Sequence, residues 1–99
     1  MMAQKVKRTR GSGNIFSDLG FPPDEAANLR MRSQLMIGIE MFCRRSGLTR
    51  AQAAKRLRIS QPRLNALLKG RIGDFNLDAL VNAANRAGLE VRLVIRKAA

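Results

Sequence analysis

The sequence contains no histidine, no tyrosine and no tryptophan, and it has one cysteine, Cys43. This inventory excludes a histidine acid/base site and a cysteine–histidine metal cluster, so neither an enzyme nor a cofactor is expected. Seven acidic residues could supply a carboxylate pair, but Asp24, Glu25, Asp74 and Asp78 have capping or first-turn positions that account for them. Cys43 lies in an apolar stretch and is interpreted as a small buried hydrophobe rather than a reactive thiol.

Long apolar runs are also missing. No stretch of eighteen apolar residues occurs, and the basic N-terminus leads into "GSGN" rather than into an apolar signal core. We therefore expect a protein that is neither exported nor embedded in a membrane. The lack of an internal disulfide fits a reducing cytoplasm.

Positive charge is what the chain has in abundance. Its 19 lysines and arginines against seven acidic residues give a formal net charge of +12, spread over 99 residues that suffice for one small domain. Nine of these cations lie between Arg44 and Arg71, and no acidic residue interrupts them. Such a segment attracts a polyanion, and nucleic acid, an acidic protein surface and an anionic membrane are the candidates.

The first part of the chain divides into a tail and a docking element. Residues 1–13 are basic, end in Gly-Ser-Gly and predict a flexible tail that either touches DNA backbone or only adds solubility. "NIFSDLGFPP" at 14–23 is too apolar for a linker and too rich in glycine and proline for a long helix. It predicts one short turn, docked on the domain's own core or on a protein partner.

Apolar periodicity and capping residues predict four longer helices. Their expected spans are 24–46, 50–57, 61–69 and 77–87, the last capped by Asp74 or Asn76. Thr49 and Gln52 have the spacing of a capping box, Ser60 caps the third span, and Gly47, Gly70 and Gly88 end three of the spans. The two eight-residue helices joined by "RIS" leave room only for a sharp turn, which predicts a helix-turn-helix over about 49–70.

The period changes after Gly88. In "LEVRLVIR", at 89–96, the residues Leu89, Val91, Leu93 and Ile95 alternate with mostly polar ones, which predicts a half-buried strand. No second strand is evident in the sequence. A solitary strand has an unpaired edge, so we expect it to pair with the same strand of a second subunit or with a strand of a partner. The alternative is that it packs on the chain's own helices.

The run from "LTRAQAAKRL" through "ISQPRLNALLKGR" to "FNLDALVNAANRAG" resembles the helix-turn-helix domains of the Xre, or lambda repressor-like, family. Together with "NIFSDLGF" it is most similar to small Hig-type antitoxins, which accompany RelE-like toxins. The resemblance covers about 14–95. It implies an all-α lambda repressor-like bundle of four to five helices within a domain at 14–96. The alternation at 89–96 adds the C-terminal strand, which we expect to pair across a dimer.

Three positions depart from the family pattern. Arg50 stands where the family usually has a glutamine that touches a phosphate, so a charged contact replaces a neutral one. Arg58 stands where the family often has glycine, and a positive φ there would cost on the order of 1 kcal/mol. Pro62 has no hydrogen-bonding side chain at a position that often contributes a base contact.

The resemblance places the N-terminal half of the second helix of the motif in the major groove of DNA. The expected base-reading residues are Gln61, Arg63, Asn65 and Ala66. The expected phosphate contacts, at helix ends, are Thr49, Arg50, Ser60, Lys69 and Arg71. Arg63 is the strongest candidate, because an outward arginine in an all-basic segment has little structural reason to be there.

Taken together, these features predict a DNA-binding transcriptional repressor that acts on its own promoter as a homodimer, with Leu89, Val91, Leu93 and Ile95 at the dimer interface. The resemblance adds the possibility of an antitoxin that neutralises a RelE-like toxin, although a stand-alone regulator would have the same sequence features. The alternative from another class is a protein-interaction module whose basic face binds an acidic partner without reading DNA.

Overall fold

The computed structural model describes residues 14–97, and the predicted tail at 1–13 lies outside them. These residues form five α-helices and one turn of 3-10 helix at Ile72–Asp74. In chain order the α-helices are α1 (Ile15–Asp18), α2 (Pro23–Ser46), α3 (Arg50–Leu57), α4 (Gln61–Leu68) and α5 (Leu77–Arg86). The predicted all-helical class is confirmed, and the four longer helices agree with their expected spans to within one residue at each end.

The short helix α1 is docked on the chain's own α2. The side-chain oxygen of Asn14 accepts hydrogen bonds from the backbone N–H groups of Phe16 and Ser17, and this caps α1. The amide Nδ2 of the same residue donates to the carbonyl of Ala26 at 3.1 Å. One asparagine therefore starts α1 and also fastens it to the first turn of α2.

The long helix α2 begins where Pro23 can start a helix without losing a hydrogen bond, and Asp24 and Glu25 follow in its first turn. It ends at Gly47, whose φ of 74° is the left-handed conformation that terminates many helices. Ile39 is fully buried in its C-terminal half. No helix among residues 14–97 combines the length and the apolar character needed to cross a membrane.

The helix-turn-helix consists of α3 and α4, and each begins at a hydroxyl cap. Thr49 Oγ1 accepts from the N–H of Gln52, and Gln52 Oε1 accepts from the N–H of Thr49, so the predicted capping box is present. Ser60 Oγ accepts from the N–H of Arg63. Between the helices Arg58 has φ 58° and ψ 43°, a left-handed conformation that is costly for a residue with a Cβ.

A single hydrophobic core lies between the helices. Its fully buried large side chains are Ile39, Leu57, Leu64 and Leu80, one each from α2, α3, α4 and α5. Ala53 and Ala54 are buried on α3, where small side chains let neighbouring helices approach closely. Burial raises the pKa of the half-buried Cys43 thiol, and the Glu40 carboxylate raises it further, which disfavours the reactive thiolate.

The C-terminal segment corrects one sequence-based prediction. We predicted a strand at 89–96, but the structure assigns no strand to any residue of 14–97, and 89–97 follow α5 without regular secondary structure. The physical reason is that a strand is defined by a ladder of hydrogen bonds to a second strand, and the described chain provides no such neighbour. Leu89 is half-buried against the core, whereas Leu93 and Ile95 are 77% and 84% exposed.

Candidate nucleic-acid interface

The helix α4 presents one face to the core and the other to solvent. Leu64 and Leu67 are buried, whereas Gln61, Pro62 and Arg63 in its first turn are exposed. The start of α4 is therefore open to a ligand, as the sequence suggested for Gln61 and Arg63. Asn65 and Ala66 are less accessible, because both are half-buried and Ala66 packs against the core.

The side chain of Arg63 is fixed rather than free. Its Nη1 donates to the backbone carbonyl of Asp74 at 2.7 Å, and its guanidinium carbon lies 4.1 Å from the centroid of the Phe75 ring. A cation over an aromatic face is held electrostatically, and the flat guanidinium also stacks well. Arg63 thus has a structural role that sequence reasoning did not foresee. Four of the five guanidinium N–H groups remain for a ligand.

Arg50 and Asn65 form a second fixed pair, across the turn of the motif. Arg50 Nη1 donates to Asn65 Oδ1 at 2.6 Å and so links the first residue of α3 to the middle of α4. Because the amide oxygen of Asn65 is occupied, its Nδ2 group is the part left to donate to a ligand. The sequence assigned one of these residues to phosphate and the other to a base, and the structure brings the two side chains together.

The other expected phosphate contacts lie at helix ends and are exposed. Thr49 and Ser60 act as caps, so their hydroxyl oxygens already accept a backbone hydrogen bond. Lys69 is the C-cap of α4, and Arg71 follows Gly70. Neither of these two cations has a side-chain hydrogen bond within the described residues, so both ammonium and guanidinium groups are available to an anion.

The cationic segment 44–71 keeps nearly all of its charge unpaired. Among the described residues, Arg44 is its single member in contact with a carboxylate, Glu40 at 2.9 Å, and that pair is exposed. Arg50, Arg56 and Arg63 instead donate to neutral oxygens, which orient them without cancelling their charge. An exposed surface with a positive potential therefore surrounds the start of α4.

A helix-turn-helix domain family matches residues 15–96, which is most of the chain. The chain belongs to this helix-turn-helix family. A solved structure described as an XRE family transcriptional regulator is similar to it, with 30% sequence identity, a TM-score of 0.69, and coverage of 75% of this chain and 83% of that one. No curated protein sequence matches the chain. The match supports an XRE-like, DNA-binding transcriptional regulator.

The loop after α4 in this XRE-like regulator is held by a residue that sequence reasoning missed. Arg32 of α2 donates through Nη1 to the carbonyls of Ile72 and Phe75, both at 3.1 Å, and through Nε to Asn28 at 2.7 Å. Since Phe75 also lies under Arg63, this arginine indirectly fixes the candidate base-reading side chain. Its i to i+4 spacing from Asn28 is visible in the sequence, but its loop partners Ile72 and Phe75 are 40 and 43 residues away.

Two further arginines of the regulator, Arg56 and Arg86, donate hydrogen bonds to backbone carbonyls at the ends of helices. Arg56 Nε donates to the carbonyl of Arg86, and Arg86 Nη1 donates to the carbonyl of Leu57. Arg56 of α3 thus satisfies a carbonyl at the C-terminus of α5, and Arg86 of α5 satisfies one at the C-terminus of α3. The guanidinium carbon of Arg56 also lies 5.6 Å from the centroid of the Phe42 ring. Not every cation of the basic segment is therefore a candidate for DNA contact.

The four residues expected at a dimer interface differ in how much of each side chain is exposed. Exposure increases from the half-buried Leu89 through Val91, at 39%, to Leu93 and Ile95. The first three line an open apolar groove whose other walls include Met31 and Leu35 of α2 and Leu77 and Val81 of α5. The single chain leaves this groove unfilled.

Proposed function

We propose that this XRE-like regulator represses transcription from its own promoter by binding an operator as a homodimer. The observation that carries the proposal is the exposed start of α4, where Arg63 is oriented by Phe75 and Asp74 within a basic segment. An α-helix fits the major groove, and an oriented arginine can donate two hydrogen bonds to guanine O6 and N7. Fixing the side chain in advance lowers the entropy lost on binding.

The proposed base contacts follow from the hydrogen-bond donors and acceptors that each side chain does not use within the protein. Gln61 is exposed and has the paired donor and acceptor that match adenine. Arg63 suits guanine, and Asn65 donates through Nδ2 because Arg50 occupies its oxygen. Ala66 is half-buried, so its proposed contact is limited to the methyl group of a nearby thymine.

The proposed phosphate contacts fix the position of α4 on the duplex. Arg50, Lys69 and Arg71 supply positive charge, whereas Thr49 and Ser60 supply hydroxyl groups at the N-termini of α3 and α4. Such contacts give affinity that falls with salt concentration and do not depend on base sequence. Arg50 joins the two sets, because one guanidinium can touch a phosphate while it orients Asn65.

A dimer is part of the proposal because one motif of this size touches few base pairs. Two copies on half-sites about one helical turn apart, on the order of 34 Å, would double the contacts. The exposed row Val91, Leu93 and Ile95 supports the C-terminal segment as the interface. We place this assembly in the cytoplasm, where promoter DNA is available.

A toxin-binding role is the second candidate, and exposed apolar residues on α1 and at its C-cap favour it. Ile15 and Leu19 are 64% and 69% exposed, although α1 is docked on α2 through Asn14. A RelE-like toxin could cover this surface, as in the Hig-type antitoxins that the sequence resembles. The test is whether the product of a neighbouring gene co-purifies with wild type and is lost from the Ile15→Asp/Leu19→Asp variant.

The repressor proposal is tested by binding to the DNA upstream of the gene and to a scrambled duplex of equal length, at two salt concentrations. We expect wild type to prefer its own promoter DNA. The Arg63→Ala variant should lose about 1–3 kcal/mol of this preference, because a bidentate base contact has gone.

Lys55→Ala is the matched control. It removes the same charge from an exposed position on α3 that is assigned no base contact. Both variants should lose similar affinity for scrambled DNA, but the control should retain the sequence preference. If wild type binds both duplexes alike and releases them together as salt rises, the basic surface does not read sequence and an acidic protein partner becomes the better interpretation.

A further inference from the structure

We infer that two copies of this chain pair antiparallel through residues 89–97 in one particular register, with the two-fold axis at Leu93 and with Glu90 of each copy opposite Arg96 of the other. This inference rests on the proposed homodimer and specifies its geometry. It commits to a second copy of the chain as the occupant of the apolar groove between α2 and α5.

The first step concerns the face that must be covered. Leu89, Val91 and Leu93 line the groove together with the intervening Glu90 and Arg92, and Ile95 continues the alternate apolar row beyond it. In a strand, alternate residues share a face, so pairing two such segments would place both odd-numbered rows on one side. With the axis at Leu93, the partner's Ile95 lies opposite Val91 and extends the apolar wall of the groove.

The second step compares the charges in the possible registers. An axis at Leu93 pairs residue 90 with residue 96 and residue 92 with residue 94, so Glu90 meets Arg96 twice in the dimer. An axis at Arg92 would place that arginine against its own copy. An axis at Val94 would place Arg92 opposite Arg96. Like charges directly opposite each other destabilise a strand pair, and opposite charges stabilise it.

The third step compares the remaining registers. An axis between two residues would set odd against even positions and turn charged side chains toward the apolar face. An axis at Val91 would also pair opposite charges, Glu90 with Arg92, but it shortens the ladder to 89–93 because Ala87 caps α5 and Gly88 has a left-handed conformation. An axis at Ile95 opposes no like charges either, but it leaves Glu90 without a cross-strand partner among residues 14–97. The Leu93 axis uses all of 89–97, with Leu89 opposite Lys97, opposes no like charges and pairs Glu90 with Arg96.

Within the single chain Glu90 already contacts Arg92 at 3.2 Å, with both side chains at least 73% exposed. A pair so exposed contributes little and can exchange partners. Pairing of the two strands offers Glu90 a cross-strand partner in Arg96, whose guanidinium has no carboxylate contact within residues 14–97. Charge complementarity of the chain with itself therefore specifies the register.

The test is charge exchange in the full-length protein, read by sedimentation equilibrium at low ionic strength. Glu90→Arg and Arg96→Glu should each raise the dimer Kd about tenfold, since two symmetric attractive pairs become repulsive. The double variant Glu90→Arg/Arg96→Glu should restore the wild-type Kd. All these differences should shrink in high salt, where exposed charges are screened.

The matched control is Glu90→Arg/Arg92→Glu, which has the same net charge as wild type and as the restoring double variant. It should not restore dimerisation in the Leu93 register, because residue 90 would still face Arg96 of the partner. Restoration by this control, and not by the Arg96 variant, would move the axis to Val91 and overturn the inference. Circular dichroism of each variant shows that the helices remain folded.

Operator binding by the same proteins separates this inference from the proposed function. A wild-type protein that stays monomeric at all concentrations would overturn the strand pairing, even if it preferred its own promoter DNA. A dimer with the expected coupling between Glu90 and Arg96, but with no preference among duplexes, would support the register and remove the repressor function.

Discussion

At the residue scale, Arg58 shows how one position can retain a strained backbone. Its φ of 58° is the conformation that glycine adopts without strain, and its side chain is exposed at the turn between α3 and α4. The neighbouring helices impose the conformation, because α3 must end and α4 must begin within three residues. The cost of order 1 kcal/mol is small enough for the packing of Leu57 and Leu64 to offset it.

We predict that Arg58→Gly raises the free energy of unfolding by about 0.5–1 kcal/mol, measured by urea denaturation. Removal of the left-handed strain favours the folded state, and the greater freedom of glycine in the unfolded chain offsets part of the gain. Arg58→Ala is the control, since it removes the same charge but retains the Cβ. A glycine variant no more stable than the alanine variant would show that the charge, and not the backbone, matters at this position.

Local sequence determined the residue-level features that were predicted correctly. Thr49 and Gln52 lie three residues apart, Ser60 precedes Pro62 by two, and Gly47 follows the last turn of α2, so each signal lies within one turn of the helix end that it specifies. The contacts of Arg63 were not predicted because Asp74 is eleven residues away, beyond an intervening glycine turn. Its position on α4 was visible in the sequence, but its partner depends on the tertiary fold.

At the element scale, the loop between α4 and α5 connects the core to the candidate DNA-binding surface. Phe75 is buried, its carbonyl accepts from Arg32, and its ring supports Arg63. Arg32 thus stabilises the loop from the α2 side, while Arg63 contacts it from the α4 side. An element without regular secondary structure beyond one 3-10 turn is thereby fixed by two arginines from two helices.

We predict that Arg32→Lys lowers the free energy of unfolding by about 1–2 kcal/mol, because an ammonium group cannot reproduce bonds to two carbonyls and to Asn28 in the geometry of guanidinium. The net charge is unchanged. Arg63 should also be held less firmly, so preference for promoter DNA over scrambled DNA should fall while affinity for scrambled DNA stays close to that of wild type.

Arg30→Lys is the matched control for this variant. It makes the same chemical change at an exposed position two residues away on α2, and it should alter stability by less than about 0.5 kcal/mol. If Arg32→Lys and Arg30→Lys unfold at the same urea concentration, the hydrogen bonds of Arg32 to the loop do not contribute to stability.

The C-terminal segment is the element for which sequence and single-chain structure differ. Alternation of Leu89, Val91, Leu93 and Ile95 with mostly polar residues indicated a strand, and none forms within the described residues. Alternation reports which side chains share a face, whereas a strand also needs a neighbour to complete its hydrogen bonds. The half-buried strand that the pattern predicted is therefore absent from the described residues, and the interface role of its apolar side chains stays a prediction.

At the scale of the whole molecule, the hydrophobic core and the exposed C-terminal row are separate. All fully buried large side chains belong to α2 through α5, and the last side chain that packs on the core is Leu89. Residues 91–97 contribute exposed apolar surface and positive charge to a single chain. Folding of the helices and assembly of two chains should therefore be separable by truncation.

We predict that a chain ending at Glu90 keeps the helical circular dichroism of wild type and sediments as a monomer. Its affinity for promoter DNA should fall about 100-fold or more, because two linked half-site contacts become independent. Truncation also removes three positive charges, so Arg92→Gln/Lys97→Gln in the full-length chain is the control, since it removes two of them and spares the proposed pair of Glu90 with Arg96. It should remain dimeric and lose only the electrostatic part of the affinity, equally on promoter and scrambled DNA.

A truncated chain that still forms dimers would place the interface on the helices. A truncated chain that loses its helical circular dichroism would show that the segment belongs to the core.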